Sequence, residues 1–234
     1  MGPQPDQASD PHAVVDAHRT ARILLEVQAV HIRPHQPFTF TSGWASPVYV
    51  DCRKLISFPR ARRAIIDMAV AAIEREVGFE RIDAVAGGET AGIPYAAWIA
   101  ERMALPMLYV RKQPKGFARN AQIEGAIEDG RRVLLVEDLA TDGKSKVNFI
   151  NALRTAGAVV EEALVVFFYS VFPQARDDLL KIGVRLHALA TWHDILAVAG
   201  AAGIADGDLD EVRQFLADPI AWSVAHGGAG APPA

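Results

Sequence analysis

Cysteine is almost absent: the 234 residues include one, Cys52. A single thiol forms no internal disulfide, and no Cys/His cluster has the spacing of a structural zinc site, so disulfide-stapled and zinc-ribbon classes are excluded. That cysteine usage points to a reducing compartment, the cytoplasm. Long apolar runs are missing too. No segment approaches the roughly 20 residues that a membrane helix needs, and the densest run, Ala163 to Phe168, is strand-sized. Neither sign of charge dominates: 24 Lys and Arg against 28 Asp and Glu leave −4. This disfavours a nucleic-acid partner, and any bound anion must be held by local positive charge. What remains, 50% hydrophobic and 22% charged residues, is ordinary for a globular chain long enough to bury a sizeable core. Met1 to Pro11 lacks the basic start and apolar centre of a secretion signal, and Asp6 stands where a myristoylation signal needs Ser or Thr. Residues 1–11 are therefore expected to be a disordered leader, and the Gly/Pro/Ala-rich end, 225–234, a flexible tail with nothing to pack.

Periodicity predicts a first helix over Val14 to Ile32, with Ile23, Val27 and Val30 on one face. Phe38 to Asp51 predicts two short strands around Ser42-Gly43, and Arg60 to Val77 an amphipathic helix ending before Gly78. Strands and helices then alternate. Strands are expected at Ile82 to Ala86, Met107 to Arg111, Val133 to Glu137, Val159 to Phe168 and Val184 to Ala190. Helices are expected at Ala91 to Met103, Lys144 to Ala156 and Asp177 to Ile182, with further helix up to Ala217. This alternation predicts an α/β fold, a mostly parallel central sheet flanked by helices, with ligands bound beyond the carboxyl ends of the strands. Three strand ends stand out: Gly87 to Gly92, Arg111 to Asn120, and Glu137 to Ser145.

Glu137 to Ser145 (EDLATDGKS) places two adjacent carboxylates at a strand end, followed by small and hydroxyl residues opening a helix. Backbone N–H groups at a helix start cradle phosphate, and the carboxylates suit sugar hydroxyls or a magnesium complex, so a phosphorylated sugar fits. A Walker A loop is excluded, because Asp138 stands where its first Gly belongs. Gly87-Gly88-Glu89-Thr90-Ala91-Gly92 lacks the dinucleotide spacing but offers amides for a pyrophosphate. Arg111 to Arg119 (RKQPKGFAR) holds four basic residues and no acidic one, a loop able to close over a polyanion. Each segment also has a plainer explanation: a capped helix, a tight turn and a solvated basic loop.

The strand-acid-acid-loop segment resembles the signature of type I phosphoribosyltransferases, which bind 5-phosphoribosyl 1-diphosphate (PRPP). Phe38 to Arg53 (FTFTSGWASPVYVDCR), Thr90 to Ile93, and YVRKQPKG followed by Gln122-Ile123-Glu124-Gly125 are similar to segments of the orotate phosphoribosyltransferase family. The similarity covers about Phe38 to Tyr169. It implies the type I phosphoribosyltransferase fold with a small N-terminal hood: hood at about 12–58, core at about 60–190, and a C-terminal helical region at 191–224 of a single domain, 12–224. The implied activity is transfer of ribose 5-phosphate from PRPP to N1 of orotate, giving orotidine 5′-monophosphate and pyrophosphate in UMP biosynthesis. A phosphoribosyltransferase for another base and a non-catalytic PRPP-sensing regulator are the alternatives.

The resemblance implies the site as well. Glu137 and Asp138 match the pair holding the ribose hydroxyls. Leu139, Ala140, Thr141, Asp142, Gly143, Lys144 and Ser145 match the phosphate cradle, with Thr141 also near orotate. Arg111, Lys112 and Lys115 match diphosphate-binding residues. Lys115 and Asp138 are the implied catalytic residues. Ser42, Gly43 and Arg53 belong to the base-recognising hood. Mg2+ is expected to travel with PRPP, with no direct protein ligand. A homodimer is implied, loop 112–124 closing over the neighbouring site. Two residues depart from the pattern: Phe117 stands where many relatives have a histidine, and Asp142 puts a negative charge in the phosphate cradle. Asp142 is expected to point outward and pair with Lys144 or Lys146. Trp44 and Cys52 are expected to pack. Trp192-His193-Asp194 resembles a catalytic pair, but neighbours on one backbone rarely aim together and no G-x-S-x-G elbow accompanies them.

Overall fold

The structure, a computed structural model, describes residues 10–116, 122–141, 144–172 and 174–230. Most of the expected leader, residues 1–9, lies outside these, as do Phe117, Asp142, Gly143, the side chain of Lys144 and the last residues of the expected tail, 231–234.

The chain opens with helix α1 (Pro11–Glu26). Asp10 caps it, its Oδ1 accepting the His12 N–H at 2.9 Å, and Pro11 supplies the fixed φ that a first helical position favours. The leader therefore stops short of Pro11. The first helix is also shorter than its periodicity suggests. Gln28 takes φ 56°, and the chain becomes strand β1 (Val30–Ile32), which pairs antiparallel with β4 (Val48–Val50). Between these lies a hairpin of β2 (Phe38–Thr39) and β3 (Ala45–Ser46), turning at Ser42-Gly43. A 3-10 turn (Cys52–Ser57) leads into α2 (Pro59–Glu76).

The remaining elements are β5 (Ala84–Gly88), α3 (Gly92–Met103), β6 (Met107–Val110), β7 (Ile123–Glu124), β8 (Arg132–Ala140), α4 (Lys144–Thr155), β9 (Val159–Phe168), α5 (Gln174–Lys181) and β10 (Arg185–Thr191). The end is helical: α6 (Trp192–Ala199), α7 (Asp206–Ala217) and α8 (Pro219–Ala225). Among the described residues the main sheet has six strands in the order β10-β9-β8-β5-β6-β7, all parallel except β7, which returns antiparallel along β6. Alternation in β8 builds the core on both faces. Leu134 and Val136 join the cluster under α1, α2, α3 and α6, while Val133 and Leu135 join the one under α4 and α5. The chain runs outward from β5 in one direction and from β8 in the other. The topological switch therefore lies between their carboxyl ends, where such sheets bind ligands.

One buried polar cluster ties α2 to the far edge of the sheet. His187 on β10 places Nδ1 2.6 Å from Glu76 and Nε2 2.7 Å from Glu162 on β9, and Arg185 also pairs with Glu162. Burial works against the charged ring, but the bonds to Glu162 and Glu76 outweigh it and raise the His187 pKa. A raised histidine stabilises the fold fully below its unfolded pKa and loses that contribution as pH rises through the folded value. Thermal melts are therefore expected to show wild type losing stability as pH rises above the ordinary histidine range. His187→Gln should flatten that slope, and an unchanged slope overturns the assignment.

Candidate active site

The switch point is built from close backbone contacts. Gly87, Gly88 and Gly92 connect β5 to α3, and none has room for a side chain. A Cβ at Gly88 would lie 2.6 Å from Glu137 Oε1 and from the Phe149 ring, one at Gly87 would lie 2.7 Å from the Gly92 carbonyl, and one at Gly92 would overlap the Val136 carbonyl. The β5 turn thus lies directly against the end of β8, and the two expected phosphate-binding loops are neighbours.

A cleft of about 970 Å³ opens there, and its described lining has two characters. The β5–α3 turn, the loop after β6, the end of β8 and the start of α4 contribute Glu89, Thr90, Lys112, Asp138, Thr141 and Ser145, beside the apolar Pro94 and Phe149. The hood, the segment after β9 and α7 contribute its aromatic and apolar residues Phe40, Trp44, Val171, Phe172 and Phe215, with Ser46 and Tyr49 among them. Trp44 meets Phe172 edge-on with ring centroids 5.6 Å apart. Arg53 also lines the cleft. Its Nε donates to Asp51 at 2.6 Å and its Nη2 to the Tyr49 hydroxyl at 2.9 Å, which orients the guanidinium.

The adjacent acids occupy different environments. Glu137 is buried, and its Oε2 accepts from Lys146 Nζ at 2.7 Å and from the Ser145 hydroxyl at 3.3 Å. Lys146 is itself buried and also donates to the Leu139 carbonyl at 2.8 Å. A buried ammonium needs a buried carboxylate beside it, and Glu137 supplies one; Asp142, the partner expected for Lys144 or Lys146, lies outside the described residues. Asp138 faces the cleft, its pKa raised by burial and then by the neighbouring Glu137 charge.

The described part of the basic loop is anchored at both ends. Arg111 N–H donates to the Gln122 carbonyl at 2.8 Å, and Gln122 Nε2 returns a bond to the Arg111 carbonyl at 3.1 Å. The Lys112 N–H donates to Glu89 Oε2 at 2.7 Å, so this carboxylate fixes where the loop leaves the sheet. Glu89 lies within the glycine-rich strand end singled out in the sequence, but its bond to the loop is visible only in the structure. Arg111 Nη1 lies 3.3 Å from Glu124, and its buried Nε has no partner among the described residues. Lys115 is exposed and lies outside the cleft lining.

The structure thus brings together Lys112, Glu137, Asp138, Leu139, Thr141, Ser145 and Arg53 on one cleft. Ala140 is buried beneath it, its carbonyl accepting the Tyr169 N–H at 2.9 Å. Ser42 and Gly43 sit exposed at the hairpin tip, outside the lining. Two phenols fix the hood to the core. The Tyr169 hydroxyl accepts the Val50 N–H at 2.8 Å, and the Tyr95 hydroxyl donates to the Cys52 carbonyl at 2.6 Å. Burial pushes both phenols and the Cys52 thiol above their ordinary values, so Cys52 packs as an uncharged side chain. Asp194 forms a capping box with Thr191 at the start of α6. Among the described residues no group of three or more His, Cys, Asp or Glu side chains could hold a metal ion.

Comparison with known proteins places this cleft in a family context. The chain is 55% identical over 218 residues to the orotate phosphoribosyltransferase of Sinorhizobium medicae, covering 93% of this chain and 94% of that one. It is 56% identical over 211 residues to that of Cereibacter sphaeroides, covering 90% and 91%. The crystal structure of orotate phosphoribosyltransferase from Aeropyrum pernix matches with a TM-score of 0.65 at 33% identity, covering 77% of this chain and 99% of that one. No protein-family model matches the chain.

Proposed function

The chain belongs to the orotate phosphoribosyltransferase family, and on that premise we propose that its cleft transfers the 5-phosphoribosyl group of PRPP to N1 of orotate, releasing pyrophosphate and serving pyrimidine biosynthesis. The observation that carries the assignment is the two-sided cleft at the β5/β8 switch. Hydroxyls, amides and carboxylates on one side suit a phosphorylated sugar, and aromatic rings with an oriented guanidinium on the other suit a flat anionic base.

The reaction breaks the C1–oxygen bond of PRPP and the N1–H bond of orotate and forms the C1–N1 bond, the electron pair leaving with pyrophosphate and the proton passing to pyrophosphate or water. Positive charge grows on the ribose while negative charge collects on the leaving diphosphate. Asp138 faces the cleft, where its carboxylate accepts ribose hydroxyls and stabilises the electron-poor ring. Amides and hydroxyls from Thr141 to Ser145 hold the 5′-phosphate at the start of α4. Lys112 and the exposed Lys115 supply cations for the diphosphate, and Arg53 pairs with the orotate carboxylate through its planar fork. A magnesium ion bound with the diphosphate would supply further positive charge to the leaving group beside Lys112 and Lys115. Glu137 acts mainly through Lys146, bracing the strand end that presents Asp138.

Lys115 lies outside its own cleft lining, which supports a homodimer in which loop 112–124 serves the neighbouring site. No helix among the described residues is long and apolar enough to cross a membrane, and the one cysteine is free and buried. These features support a cytoplasmic enzyme. The test follows orotate absorbance after adding PRPP and magnesium, with uracil, hypoxanthine and adenine as parallel acceptors. Orotate alone should be consumed, with pyrophosphate released, by a protein that sediments as a dimer. PRPP binding without consumption of any acceptor overturns the enzymatic reading.

A further inference from the structure

The β2–β3 hairpin carries Phe40, Trp44 and Ser46 into the cleft, yet it pairs over only two residues per strand and forms no part of the main sheet. A ribbon that short does not hold its shape alone. Its support comes from the far end of the chain. Ser223 on α8 is fully buried, and its hydroxyl accepts the Ala45 N–H at 3.1 Å while donating to the Ala229 carbonyl at 2.9 Å. The Ala229 N–H donates in turn to the Gly43 carbonyl at 2.8 Å. Gly228 fits between, since a Cβ there would overlap Ser223 Oγ and lie 2.5 Å from the Ala45 nitrogen. The expected flexible tail is therefore docked as far as residue 230, because its small residues let the backbone approach the hairpin closely.

The same segment reaches the cleft directly. Phe215 lines it and meets Trp222 edge-on at 5.6 Å, while the Trp222 indole stacks on His226 at 3.6 Å and donates to Glu211 at 3.2 Å. One rigid cluster thus presents an aromatic wall and fixes the hairpin that carries Trp44.

Resting on the proposed activity, we infer that the C-terminal segment 206–230 sets the grip on orotate, with Ser223 the positioning residue that locks the hood hairpin across the acceptor half of the cleft. The donor half comes from β5, β8 and α4, which this segment does not hold. Loosening the lock should therefore affect one substrate only.

The test measures full kinetics and thermal melts of wild type, Ser223→Ala and Gly228→Ala. Ser223→Ala removes the acceptor of a buried N–H, and Gly228→Ala wedges the docked turn from the hairpin at a partly exposed position. Gly228→Ala thus still answers the question if Ser223→Ala fails to fold. Both variants are expected to raise KM for orotate about fivefold to tenfold, the range a lost buried hydrogen bond produces. KM for PRPP and kcat should stay close to wild type. A lower melting temperature with both KM values unchanged makes the contact purely structural and overturns the inference. So does an equal rise in both KM values. Wild type failing to consume orotate marks the failure of the enzymatic reading itself, and this inference falls with it. Wild-type turnover with unaltered variants sinks only the positioning role.

Discussion

Asp138→Asn is expected to lower kcat by about 10²–10³-fold, the loss seen when one preorganised electrostatic partner of a transition state is removed. Asp138 faces the cleft at the end of β8, and burial together with Glu137 disfavours its charge. A carboxyl whose pKa is raised on folding is stabilising below its unfolded pKa, and that contribution is lost as pH rises through the folded value. The ionised form that the proposed reaction uses is therefore a burden on the fold near neutral pH, and the uncharged isostere removes it. Initial rates at saturating substrates should collapse while the melting temperature stays equal or rises. An undiminished kcat, or activity lost together with stability, assigns Asp138 to the framework instead.

Lys146→Met is expected to destabilise the chain by about 3–5 kcal/mol, lowering the melting midpoint by roughly 6–20 °C for a protein of this size. Lys146 and Glu137 have side chains only 3% and 10% exposed, and their 2.7 Å bond is accompanied by the Leu139 carbonyl. Removing the ammonium leaves a carboxylate buried with one 3.3 Å bond from Ser145. A methionine fills similar space, so the loss reports the stranded charge rather than a cavity. Adding Glu137→Gln removes that charge and should recover much of the stability, a coupling that a double-mutant cycle measures. Denaturant melts in which the single variant matches wild type, or the double is no better than the single, overturn this account.

These two residues show what a linear pattern conveys. The acid pair at the strand end was legible, because four apolar residues deliver it to the edge of a parallel sheet. That Glu137 is tied to Lys146 while Asp138 is left open to the cleft was not, since this depends on a lysine in the first turn of α4. The ten-residue strand Val159–Phe168 matches expectation to the residue, because its last seven positions are buried and the apolar run is unbroken. The first helix overran, because Val27 and Val30 keep helical spacing through Gln28, where neither Gly nor Pro marks the break. The returning strand β7 was missed: two residues are too few for any period to register. Ser42 and Gly43 belong to a recognisable segment, but the turn places them at its tip and points Trp44 and Ser46 inward instead. Phe215 and Ser223 gave no local signal, and Ser223 meets its partner 178 positions away.

The glycine contacts at Gly87, Gly88 and Gly92 have a consequence for how such a protein can diverge over generations. At each of them any added methyl overlaps backbone or a neighbouring side chain, so random drift is vetoed there whatever the selective regime. At the hood the steric restriction falls on Gly228, which packs against Ala45, while the rings that line the cleft there, Phe40 and Trp44, are side chains on a ribbon outside the main sheet. Substitutions at the β5–α3 turn are therefore expected to be tolerated far less than substitutions among the side chains that line the cleft from the hood.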